Sequence, residues 1–152
     1  MKALLFSLFL FFPVTGFSQS SEAEYFNLDK DNLAIKGYDP VSYFVNDEPL
    51  EGQKTLTYSY NGATYRFTTQ ANLDTFKADP VKYEPAYGGW CAYAMGKGYT
   101  ADINPKTYKI VDGKLLLFYN KLFTNTLPKW NKDEANLYPA AEKNWADKSF
   151  DR

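Results

Sequence analysis

The chain contains no histidine and a single cysteine, Cys91. Without an imidazole, Ser-His-Asp and Cys-His nucleophilic centres are excluded, and so are zinc sites built on histidine. One thiol cannot close an internal disulfide, so no covalent staple holds the fold. No block of basic residues occurs and the formal net charge is −1, which makes nucleic acid and anionic membrane surfaces poor partners. The apolar run Ala3 to Phe12, broken only by Ser7, falls well short of the roughly 18 to 20 residues of a spanning helix, so no stable membrane anchor is expected.

That short run has another use. Met1-Lys2 supplies a positive start, the apolar stretch follows, and Pro13-Val14-Thr15-Gly16-Phe17-Ser18 closes it with small residues. This is the layout of a secretory signal peptide, 1–18, with cleavage expected between Ser18 and Gln19 and a periplasmic or secreted product. Loss of 18 of the 152 residues leaves 134 and removes Lys2, taking the charge to −2. That length makes one domain, which needs neither disulfide nor metal to fold. Residues 19–32 read as a flexible N-terminal leader, and 33–148 as the domain with a helical C-terminal extension.

Rings are what the chain has in plenty: aromatics are 18% of it, with 13 Tyr and 12 Phe. Most fall at strand or helix periods, which describes a core of large rings with tyrosine hydroxyls at its edge. Thr55 to Tyr60 and Ala63 to Thr68 flank Asn61-Gly62, a dipeptide that accepts positive φ twice, and predict a β-hairpin. Tyr108 to Val111 and Lys114 to Tyr119 flank Asp112-Gly113 and predict a second. The run LLLFY lacks alternation, so its strand is covered on both faces. Thr69 caps a helix over Gln70 to Ala78, and Pro80 fits the first position of a further turn to Tyr83. Trp90 to Met95 reads as a short helix closed by Gly96-Lys97-Gly98. Helical patterns follow over Lys121 to Leu137 and Pro139 to about Asp147. NLAIKGYDPVSYF, punctuated by Gly37 and Asp39-Pro40, reads as an edge strand and a corner. The expected class is α+β: a small antiparallel sheet of two hairpins plus an edge strand, with helices packed on one side and a helical C-terminal tail.

The pieces GYDPVSYF, YNGATYRF, FKADPVKY, YGGWCAYA and VDGKLLLFYNK, spread from about Leu33 to Trp145, resemble the exported bacterial branch of the YHS domain proteins, some of which are labelled selenoproteins. Relatives of the domain occur in heavy-metal transport ATPases, where they are proposed to bind copper or similar ions. In those relatives a Cys follows the Asp-Pro segment, whereas here Asp39-Pro40-Val41 continues with Ser42-Tyr43-Phe44. The histidine of the domain's name is also missing, so metal binding is not carried over through those positions. The resemblance does reach Cys91, because the family's selenocysteine falls in this Gly-Gly-aromatic-Cys stretch, and it implies a redox role there.

Three readings of Cys91 stand side by side. It is a small buried hydrophobe in a structural or ligand-binding domain. Or it is a reactive thiol, placed by Gly88-Gly89 in the first turn of a helix where free N–H groups favour the thiolate. Such a group could meet a thiol partner, or a second copy's Cys91 under oxidising conditions, and would need an outside reductant. In the third reading it joins Met95, four residues on, as a soft Cu(I) site, weak because it has only two ligands. Tyr38, Tyr43, Trp90 and Tyr93 are the candidates for a ring-lined pocket holding a small molecule. Asp29-Lys30-Asp31-Asn32 starts like a calcium loop but lacks the sixth-position Gly and closing Glu, and reads as a solvated turn. Gly96-Lys97-Gly98 is too short for a phosphate loop.

Overall fold

The computed structural model describes residues 22–46 and 48–152. The signal peptide expected over 1–18 lies outside the described residues. Among those that are described, no helix is long and apolar enough to cross a membrane.

Both hairpins form where the turn dipeptides place them. β1 (Thr57–Tyr60) and β2 (Ala63–Arg66) pair antiparallel through Tyr60 and Ala63, with Asn61 at φ 49° and Gly62 at φ 81°. β3 (Asn104–Val111) and β4 (Lys114–Phe118) turn through Asp112 at φ 51° and Gly113 at φ 75°. Two left-handed residues in a row match the right-handed twist of the flanking strands, which is why these dipeptides work. A third ladder, β5 (Asn120–Lys121) with β6 (Thr124–Asn125), occupies the start of what the sequence pattern assigned to a helix.

The class is α+β, as expected, but the hairpins remain three separate two-stranded ladders rather than one sheet. The anticipated edge strand shrinks to single bridges, Leu28 with Ala34 and Leu33 with Thr64. Ile35, Lys36 and Gly37 all take positive φ, which curls the chain and interrupts the pairing, and beyond the curl Tyr38 makes a single bridge to Glu51. A one-turn helix, α1 (Ser42–Val45), follows. The buried Asp39 organises this corner. One carboxylate oxygen accepts the N–H groups of Val41 and Ser42; the other accepts the N–H and hydroxyl of Thr68 and the Asn72 amide, at 2.7 to 2.8 Å.

β4 accounts for the unalternating run. Leu115 and Leu117 enter one core cluster with Tyr43, Tyr65, Phe67 and Phe76, while Leu116 and Phe118 enter another with Met95, Trp130, Leu137 and Ala141. Helices therefore lie on both faces of this strand. α2 (Gln70–Ala78), capped by the Thr69 hydroxyl, and α3 (Pro80–Tyr83) serve the first cluster. α4 (Ala92–Gly96) and α5 (Leu127–Asp147) serve the second. α5 is one span where two helices were expected. It leaves helical dihedrals at Asp133 (φ −141°, ψ 26°), and Pro139 lies inside it. Gly96 allows α4 to meet α5, since a Cβ there would stand 2.9 Å from the Leu137 carbonyl.

The segment read as a flexible leader is tied down over its described part. The Asn27 N–H donates to the Gly88 carbonyl at 2.8 Å, and Trp90 Nε1 donates to the Tyr25 carbonyl at 2.7 Å. Phe26 packs on Trp145, ring centroids 6.1 Å apart. Gly88, at φ 59°, makes this approach feasible, because a Cβ would lie 2.7 Å from Phe26 Cδ1 and 2.8 Å from Trp145 Cη2.

Candidate functional site around Cys91

Cys91 is the N-cap residue of α4, and its side chain makes no capping bond. The sulfur turns away from the helix toward the end of β4. It accepts the Tyr119 backbone N–H at 3.3 Å and lies 3.4 Å from Thr126 Oγ1. The main chain is fixed as well, by the Cys91 N–H donating to the Ala101 carbonyl at 3.0 Å and by a bridge to Leu117. The first-turn N–H groups of α4 were expected to face the sulfur; the donor it meets comes instead from 28 residues further along the chain. Cys91 ends a parallel bridge to β4, and that register aims its side chain at the β4–β5 junction.

The thiol has no exposed surface. It nevertheless borders a cavity of about 220 Å³, walled by Tyr93, Tyr99, Tyr119, Thr124 and Thr126, with Lys129 at its margin. The β5–β6 hairpin and the first turn of α5 form one wall of this cavity. Burial, the nearby Cys91 and Tyr93 push the Tyr99 hydroxyl above its ordinary range. A disulfide between two copies through Cys91 requires this wall to open, because paired Cα atoms must come within about 7 Å.

Of the four rings nominated for a ligand pocket, Tyr93 alone borders the Cys91 cavity. Tyr38 donates to Glu51 Oε1 at 3.2 Å and does not border this cavity. The Tyr43 hydroxyl donates to the Pro105 carbonyl at 2.8 Å, with its ring edge-on to Tyr108 at 5.0 Å. Burial holds that hydroxyl far above its ordinary range. Trp90 is engaged with Tyr25, as described above. The four rings are therefore distributed over the structure, and the tips of Tyr38, Tyr43 and Trp90 each bond to a polar partner of their own.

Met95 and Cys91 share α4 but serve different cores: Cys91 lies in the cluster with Tyr43 and Phe76, Met95 in the one with Trp130 and Leu137. Met95 does not border the Cys91 cavity. Among the described residues, no group of three or more His, Cys, Asp or Glu side chains could hold a metal ion. The donor set thus does not fit the metal that the family resemblance suggests. Asp102 and Glu134 are ion-paired with Lys36 and Lys109. The turn at Asp29 is closed by its own carboxylate, which accepts the N–H groups of Asp31 and Leu33.

Tyr99, Tyr119, Thr126 and Lys129 escaped the sequence reading. A signal for Thr126 was present in Thr126-Leu127-Pro128, a cap-like residue followed by a proline in the first helical turn. Nothing local connects any of them to Cys91.

Comparison with known proteins bears on this geometry. Residues 41–87 match the model of the YHS domain, inside the span over which the motifs resemble that family. No curated protein and no solved structure gives a match. The matched stretch ends four residues before Cys91.

Proposed function

We propose that the protein is an exported, periplasmic or secreted, binding or redox-accessory module built on a YHS domain, with the Cys91 thiol as its working group. The observation that carries this reading is the position of the sulfur, which accepts a backbone N–H and borders a small cavity flanked by tyrosines and a lysine. The narrow cavity favours small reagents over protein disulfides.

Hydrogen peroxide is a suitable substrate class. The thiolate attacks one peroxide oxygen and an S–O bond forms as the O–O bond breaks. The other oxygen leaves as hydroxide and takes a proton to become water, so that sulfur is oxidised to sulfenic acid and peroxide is reduced. With no second cysteine in the chain, recovery requires an external thiol: one molecule displaces water to give a mixed disulfide, and a second releases Cys91.

The second reading keeps Cys91 as a core residue, and its complete burial favours that. Exposure of the folded protein to peroxide or a small haloacetamide, followed by intact-mass spectrometry, separates the two. Addition of one oxygen or one acetamide to folded wild type, absent in Cys91→Ser, supports the working thiol. Labelling that waits for unfolding overturns it. The same spectra on exported material test processing, with a mature chain beginning at or near Gln19 as the expected mass.

A further inference from the structure

We propose that the cleft between α3, Gly88 and the C-terminal helix binds an organic cation, an arylalkylammonium ion, through aromatic walls and the Glu84 carboxylate. The cleft holds about 390 Å³, within the range of small-molecule sites, and is separate from the Cys91 cavity. Phe26, Trp145, Tyr65 and Tyr87 supply its rings. Gly88 lines the cleft and lets the Phe26 and Trp145 rings pack directly on its backbone, since a Cβ there would stand 2.7 and 2.8 Å from them.

The charges decide the class of ligand. Glu142 is already satisfied by the Tyr87 hydroxyl at 3.0 Å and by Lys114 Nζ at 2.6 Å. Lys82 extends its ammonium over the Tyr83 ring, 5.0 Å from the centroid. Glu84 is half-buried, accepts the Tyr65 hydroxyl at 3.4 Å, and has no ion pair among the described residues. Glu22 brings a second carboxyl to the same cleft. Desolvation, with Glu22 adding to it, raises the Glu84 carboxyl to about 7, against the opposing bonds from Tyr65 and Asn61. A ligand ammonium would supply the missing countercharge, and the rings would hold its aryl group and attract the cation to their faces.

Three probes of one shape test this: 2-phenylethylammonium, 2-phenylethanol and phenylacetate, titrated onto the folded protein by calorimetry. The ammonium should bind best at pH 8, and Glu84→Gln should weaken it about tenfold while leaving the alcohol unchanged. Wild-type affinity for the ammonium should fall as pH drops through about 7. The profile of Glu84→Gln should be flat, which distinguishes Glu84 from the other titratable groups facing it: Glu22, Glu142, Lys82, Lys114, Tyr65 and Tyr87. Thermal unfolding confirms that the variant is folded, and Glu22→Gln, with a smaller effect, is a second check on the carboxylates. The proposal is overturned if the alcohol or phenylacetate binds as well as the ammonium, if Glu84→Gln changes nothing, or if no probe binds at millimolar concentration.

Discussion

The Thr126 hydroxyl lies 3.4 Å from the Cys91 sulfur and donates its one hydrogen to the Tyr119 carbonyl at 3.0 Å. Its lone pairs are then free to accept the S–H, while the Tyr119 N–H points at the same sulfur. Residue 119 thus grips the thiol from one side directly and from the other through Thr126.

Thr126→Val keeps the volume and removes the acceptor. The Tyr119 carbonyl stays satisfied, since the Thr126 backbone N–H also donates to it at 3.0 Å. We expect a loss of about 1 kcal/mol in chemical denaturation and faster haloacetamide labelling of Cys91. Unchanged labelling would show that the hydroxyl does not restrain the thiol.

Leu122 sits at φ 56° in the turn of the β5–β6 hairpin, with its side chain and that of Phe123 in solvent. The left-handed conformation costs a leucine roughly 1 kcal/mol or more, and asparagine tolerates it better. Leu122→Asn should therefore stabilise the hairpin by a few tenths to about 1 kcal/mol and slow labelling of the thiol beneath it. Faster labelling would mean that the exposed leucine holds the wall closed.

Glu84 should make stability depend on pH in the direction opposite to a salt-bridged acid. Its carboxyl is raised from 4.5 to about 7 by desolvation in the folded state, so the fold binds its proton more tightly than the unfolded chain does. That contribution is fully present below about 4.5 and is lost as pH rises through about 7. Allowing for screening at a partly exposed site, the loss is about 1 to 2 kcal/mol. Urea midpoints of wild type should fall relative to Glu84→Gln over that interval, and parallel curves would refute the assignment.

Asp39 joins the corner before α1 to the start of α2 through Thr68 and Asn72. Asp39→Asn puts an amide donor among groups that all donate. We expect a loss of about 2 to 4 kcal/mol by urea denaturation. A loss under 1 kcal/mol would mean that the corner rearranges.

Met95 should behave as a core residue. Met95→Leu, close in volume, should cost less than about 1.5 kcal/mol, and Met95→Ala about 2 to 5. Anaerobic Cu(I) titration should give the same result for wild type and Met95→Leu. Copper binding that disappears in Met95→Leu while the fold is retained would restore the two-ligand site.

Turn dipeptides, the Thr69 cap and the doubly covered strand were legible in the sequence, because each depends on neighbours a few residues apart. Asn61-Gly62 and Asp112-Gly113 accept left-handed backbone wherever they occur, and Leu115 to Phe118 lack alternation because β4 has a core on either face. The absence of histidine and of a second cysteine likewise restricted the chemistry before any folding was considered. The sulfur's surroundings were not legible. Its partners Tyr119 and Thr126 lie 28 and 35 residues away, and the bridge to Leu117 that aims it at them forms only when α4 docks on β4. The same long-range packing put Met95 in the opposite core, dispersed Tyr38, Tyr43 and Trp90, and left Glu84 half-buried with no ion pair among the described residues. Sequence spacing reports which residues share a face of one element; which faces meet is decided by the burial of the whole chain.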